Sequence, residues 1–266
     1  MLELYQFELS QYSEKARLIL DYKGLAYRKI EVTPGIGQVD LFRLTGQRQV
    51  PVLRDGIRYI SDSTAIAKYL DLEYPDRPLI PKDPKQRGLC LMMEEWADES
   101  IGIKGRKALF SAISQDQNFR RALLPTSTPD VFKTLVQGVP NDFLKVLGVG
   151  VGYTPEAVQS AISDLKQDLE ALTLILADSP YLTGDQPCLA DFAVAGLSIL
   201  LKFPDGPYLD LPASLRGKGV PGLADNLLYQ PFFTWRDRLY AQYRKPSLTT
   251  TTTTTTGSSP TSIQID

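Results

Sequence analysis

The sequence predicts a chain of two parts, a mixed α/β domain over residues 1–76 and an all-α domain over residues 85–246. Three observations carry this. Strand and helix patterns alternate from Leu2 to Glu73, strand patterns vanish after Pro84, and Tyr74 to Pro84 holds four prolines and two aspartates in eleven residues, the composition of a linker. The boundary segment is taken as 77–84.

Leu2 to Phe7 alternates as a strand, and after Ser10 the residues Tyr12, Ala16, Ile19, Leu20 and Lys23 fall on helical spacing until Gly24 ends the helix. Tyr27 to Val32 reads as a second strand. Val39 to Leu44 is a short helix after the loop Pro34-Gly35-Ile36-Gly37. Val52 to Arg54 and Ile57 to Ile60, joined by Asp55-Gly56, form a hairpin. Asp62 or Ser63 caps a helix running to Glu73. This is the content of a four-stranded sheet covered by helices.

In the second part, helices are expected over Lys85 to Ile113, Asp130 to Leu147, Thr154 to Leu176, Pro187 to Leu201 and Phe232 to Tyr243. Ala161, Leu165, Leu169, Leu172 and Leu176 draw the stripe of a core-facing helix. Phe203 to Gln230, rich in proline and glycine, reads as an irregular excursion. The stretch 247–266, with eight consecutive threonines from Thr249 to Thr256, cannot bury apolar surface and is expected to be disordered.

Composition narrows the function. Hydrophobic residues make up 43% of the 266 and charged residues 23%, with a net charge of −2, so no basic surplus suggests nucleic acid or acidic lipid. No apolar run approaches the roughly 18 residues that span a bilayer, and Met1 to Tyr5 carries no leader pattern, so a cytoplasmic protein is expected. Two cysteines and no histidine exclude a disulfide framework, an imidazole triad and any histidine-built zinc site; no metal is expected.

Three motifs are suited to chemistry. Ser10-Gln11-Tyr12-Ser13 opens the first helix, where a hydroxyl and the helix dipole can stabilise a ligand's thiolate; a plain N-cap is the competing reading. Val50-Pro51 precedes the third strand. A cis bond there would turn the Val50 backbone outward toward an extended peptide, against a trans proline opening an edge strand. Asp62-Ser63 opens the next helix, where N–H groups suit a carboxylate and Asp62 an ammonium, against simple capping.

Together, Ser10-Gln11, Gln49-Val50-Pro51 and Asp62-Ser63-Thr64-Ala65-Ile66 resemble the glutathione-binding domain of cytosolic glutathione transferases. Ser10-Gln11 is similar to theta-class enzymes, and Tyr12 to Leu18 to omega-class and bacterial members with serine in place of their cysteine. The resemblance implies an α/β thioredoxin-like N-terminal domain plus an all-α C-terminal domain, glutathione as co-substrate, and a homodimer. It further implies that Ser10 activates the thiol and that Gln11, Gln38, Gln49, Val50, Pro51, Asp62 and Ser63 bind glutathione. Arg43 and Arg48 compete with Gln38 for the glycyl carboxylate. Tyr5 competes with Ser10 as activator, against the reading of a strand residue packed on the sheet.

Thr183 to Phe192 resembles the family's buried capping box, with Cys188 where a hydroxyl is usual and Asp191 three residues on. Asp98, on the first helix of the second part, reads as an exposed helix charge, against a contact with the glutathione amine across a dimer interface. The function implied is conjugation of the glutathione thiolate to small electrophiles, with a non-catalytic binding module on the same fold as the alternative.

Overall fold

The computed structural model describes residues 1–33, 36–115 and 154–247. Four strands, β1 (Leu2–Gln6), β2 (Tyr27–Glu31), β3 (Val52–Asp55) and β4 (Arg58–Ser61), form one sheet in the order β2-β1-β3-β4. β1 runs parallel to β2 and antiparallel to β3, and β3 and β4 are the predicted hairpin. Gly56 takes the left-handed turn position at φ +58°. Strand alternation divides the two faces. Leu2, Leu4 and Leu53 face α1 (Gln11–Tyr22) and α3 (Ser63–Glu73), while Val52 joins Val32 and Leu41 beneath α2 (Ile36–Thr45).

The helix expected over Lys85 to Ile113 is found as α4 (Pro84–Ala97) and α5 (Ile103–Gln115), joined by a π-helical turn at Asp98–Gly102. α6 (Pro155–Ile175) carries the predicted stripe, with Ala161, Leu165, Leu169 and Leu172 buried. α7 (Leu189–Leu197) is buried along its whole length, and α8 (Gln230–Tyr243) closes the fold. The expected helix at Asp130 to Leu147, the Pro34-Gly35 loop and the threonine run lie outside the described residues.

Three features of the packing lie beyond the sequence reading. One hydrophobic cluster runs from Leu4 and Leu18 through Leu79 to Phe192 and Phe232, so the two parts share a core rather than each enclosing its own. The boundary segment belongs to it: Leu79 is buried, its N–H donates to Asp71 Oδ1 at 2.7 Å and its carbonyl accepts from Leu189 N–H at 2.8 Å. The irregular excursion is packed as well, with Phe203, Leu215, Val220 and Leu223 buried and Arg236 donating to the carbonyls of Lys202 and Phe203.

Ser10 caps α1 and, of the two residues offered for α3, Asp62 is the cap; Thr154 caps α6. At α7, Asp191 accepts from Cys188 N–H and Leu182 N–H, both at 2.8 Å, while the Cys188 thiol meets Thr183 Oγ1 at 3.2 Å. The carboxylate half of the box is therefore intact without a hydroxyl at the cap.

Candidate functional site

The sheet register brings the three motifs to one place. Tyr5 pairs with Val52 and Val52 with Ser61, so the end of β1, the start of β3 and the end of β4 lie side by side. Ser10 follows the first, Val50-Pro51 precedes the second and Asp62-Ser63 follows the third. Two helix N-termini thus open at the same end of the sheet, each with backbone N–H groups and a positive dipole end.

Ser10 is half-buried and held by its own N–H donating to the Phe7 carbonyl at 2.9 Å. Its Oγ accepts from Ser13 N–H at 3.2 Å. Among the described residues its O–H donates to none, so capping and donation to a ligand coexist in one hydroxyl. Accepting the N–H bond polarises that O–H and strengthens it as a donor. The Val50-Pro51 peptide is cis, with Val50 half-buried and Pro51 buried.

Asp62 adopts φ +79°, uncommon for a residue with a side chain. One carboxylate oxygen accepts from Thr64 N–H at 3.0 Å and Ala65 N–H at 2.9 Å. The other oxygen remains available at the surface. Ser63 Oγ is buried with no hydrogen-bond partner among the described residues.

Behind Thr64 lies a cluster that the sequence reading missed. Lys15 is fully buried, and its Nζ donates to Glu94 Oε1 at 2.5 Å, Asp98 Oδ2 at 2.8 Å and Thr64 Oγ1 at 3.0 Å. Thr64 Oγ1 in turn lies 2.5 Å from Glu94 and 3.0 Å from Asp98. One ammonium therefore ties α1, α4 and the start of α3 together. The exposed-charge reading of Asp98 is overturned: its side chain is 15% exposed and paired, and burial raises its pKa against the Lys15 charge.

A second buried network sits on the other flank of α1. Glu14 accepts from Arg17 and Arg244, and Arg244 also bonds Asp21 at 2.7 Å, tying the chain after α8 to α1. Beside it, Glu8 takes Arg17, Lys29 and the Asp210 N–H. Burial works to raise the Glu8 pKa, but these partners prevail and bring it to about 2. Charges such as Glu14, Lys15 and Asp21 carry no local mark of burial; their distant partners make them interior.

The remaining candidates separate. Gln11 is buried and donates its amide to the Gly102 carbonyl at 3.2 Å, so it bridges α1 to the helical part. Gln38 is half-buried on the first turn of α2 and Gln49 is exposed beside Val50. Arg43 pairs with Asp40 at the surface, and Arg48 lies over the Phe42 ring at 5.1 Å. Tyr5 packs against Val32, Leu41 and Val52, with burial raising its phenol pKa. Among the described residues no group of side chains has the makings of a metal site, and no helix is long and apolar enough to cross a membrane.

Comparison with known proteins agrees with this geometry. Residues 4–78 match the glutathione S-transferase N-terminal domain. A glutathione S-transferase of Triticum aestivum is 37% identical over 98 residues, 37% of this chain and 46% of that protein. Glutathione S-transferase 1 of Dianthus caryophyllus is 28% identical over 199 residues, 73% of this chain and 74% of that one. The chain thus spans about half the length of the wheat relative. In fold it is similar to the beta-etherase LigF of Sphingobium sp. strain SYK-6, at a TM-score of 0.65 and 20% identity over 90% of this chain and 95% of that one. Residues 4–78 are thus identified as a glutathione S-transferase N-terminal domain, and the chain as a whole is similar to glutathione transferases in sequence and in fold.

Proposed function

We propose that the chain is a serine-type glutathione transferase joining the thiolate of glutathione to small electrophiles. The observation that carries this reading is the Ser10 hydroxyl: capped from behind by Ser13 N–H, it keeps its proton free at the end of the sheet where Val50 and Asp62 converge. In the proposed reaction the glutathione S–H gives its proton to solvent. The Ser10 O–H and the α1 dipole stabilise the sulfur anion, which forms an S–C bond to the electrophile as the leaving group departs. Asp62 takes the γ-glutamyl ammonium on its free oxygen, the N-terminus of α3 takes the carboxylate, and Gln38 and Gln49 border the rest of the tripeptide. The protein works in the cytoplasm as a homodimer.

Ser10→Ala tests the reading. Loss of one donor to a charged sulfur lowers turnover of 1-chloro-2,4-dinitrobenzene by about 10- to 100-fold and raises the apparent pKa of the bound thiol, with glutathione affinity nearly kept. An unchanged pH-rate profile transfers the role to Tyr5. Glutathione binding without turnover in the unaltered protein points instead to a binding module.

A further inference from the structure

The π-helical turn and α5 present one stripe to the opening turn of α1, and all of it meets Tyr12. The Tyr12 hydroxyl donates to the Asp98 carbonyl at 3.1 Å. At Gly102, one turn on, a Cβ would come within 2.8 Å of the same hydroxyl, so only glycine lets the ring approach. One further turn on, the Arg106 guanidinium lies over the Tyr12 ring, 5.9 Å from its centroid.

Arg106 is half-buried and, among the described residues, has no carboxylate partner, whereas its neighbour Lys104 pairs with Asp164 and Asp168. Among the described residues no carboxylate takes up the N–H groups of this guanidinium, whose planar fork matches a carboxylate in two parallel bonds. The charges near Tyr12 are sorted by position. Asp98 and Glu99 lie behind it, with Asp98 held by Lys15; Asp62 lies on the sheet side and Arg106 on the helical side. Burial and the acidic groups outweigh Arg106 and push the Tyr12 phenol up to about 12.

We infer that Arg106 selects the second substrate, and that this substrate is an electrophile carrying a carboxylate. The inference rests on the proposed transferase reaction and names its substrate class. Glutathione's own carboxylates are the other source of the same chemistry. The geometry favours the second substrate, because Val50 packs against the Val32, Leu41 and Val52 cluster on the α2 side of the sheet while Arg106 reaches α1 from the helical part.

The test uses a matched pair of activated aryl chlorides, 4-chloro-3,5-dinitrobenzoate and its primary amide, which differ in charge and little in shape. The readout is the ratio of kcat/KM for acid over amide, so inherent reactivity cancels between variants. Arg106→Gln lowers the ratio about tenfold, Arg106→Lys by less, and Lys82→Gln, which removes the same charge at an exposed remote position, leaves it unaltered. An equal ratio in Arg106→Gln and the unaltered protein overturns the inference, as does a loss confined to the KM for glutathione, which would place the tripeptide's carboxylate on Arg106.

Calorimetry of the two preformed glutathione conjugates gives the same ratio as a binding constant, without turnover. If glutathione binds but the acid conjugate binds no tighter than the amide, this inference fails alone. If glutathione itself does not bind, the transferase reading fails with it.

Discussion

Replacing Lys15 with methionine removes the single cation shared by Glu94 and Asp98. The two carboxylates stand at 2.5 Å and 2.8 Å from Nζ, with side-chain exposures of 3% and 15%, so neither is rehydrated when the ammonium goes. Breaking a buried pair by removing one partner costs about 3–5 kcal/mol, because a charge is left without compensation in a poorly solvated place. The penalty depends on pH with a definite sign. Without Lys15 nothing offsets the burial that already raises the Asp98 pKa, so the folded protein holds protons more tightly than the unfolded chain and the stability deficit grows as pH rises. Urea unfolding at pH 7 and pH 5 measures it as a lower midpoint at unchanged slope, with the smaller loss at pH 5. Lys15→Met/Glu94→Gln/Asp98→Asn, which removes the stranded charges, regains most of the loss. A deficit below about 1 kcal/mol at pH 7, or one equal at both pH values, refutes the argument that the cluster is a charge-compensated interior site.

Two further outcomes follow from other contacts. The Glu8 carboxyl is held at about 2, below its ordinary 4.5, so its contribution is complete above pH 4.5 and is lost as pH falls toward 2; about 3 kcal/mol is at stake, and Glu8→Gln flattens that part of an acid-unfolding curve. A flattening absent in the variant would locate acid sensitivity elsewhere. Gly196→Ala places a Cβ 2.7 Å from the backbone N and Cα of Lys15, where α7 crosses α1. Overpacking of about 1–3 kcal/mol outweighs the helix preference for alanine, and calorimetry registers a lower Tm; a higher one would mean that the crossing yields freely.

The site's skeleton was legible in the sequence because each part is announced locally. A hydroxyl or carboxylate before an apolar helical stripe marks a cap, a proline before a β-branched run marks the start of a strand, and a two-residue Asp-Gly turn marks a hairpin. Ser10, Val50-Pro51 and Asp62-Ser63 are of this kind, whereas the strand order was not legible, since no local signal places β1 between β2 and β3. The interrupted helix at Asp98–Gly102 was not legible, since its residues keep helical composition through the π turn.

What the sequence by itself determined is therefore the succession of elements and the residues that open them, since these depend on spacing of a few residues along the chain. Tertiary structure alone decided that Lys15 and Glu14 are interior, that Gln11 turns to the Gly102 carbonyl, and that Arg106 stands over Tyr12. Each of those outcomes depends on a partner far along the chain, 79 residues away for the Lys15–Glu94 pair, 91 for Gln11–Gly102 and 230 for Glu14–Arg244. A charged side chain carries no local mark of whether its counter-charge will arrive, and burial becomes favourable only when it does.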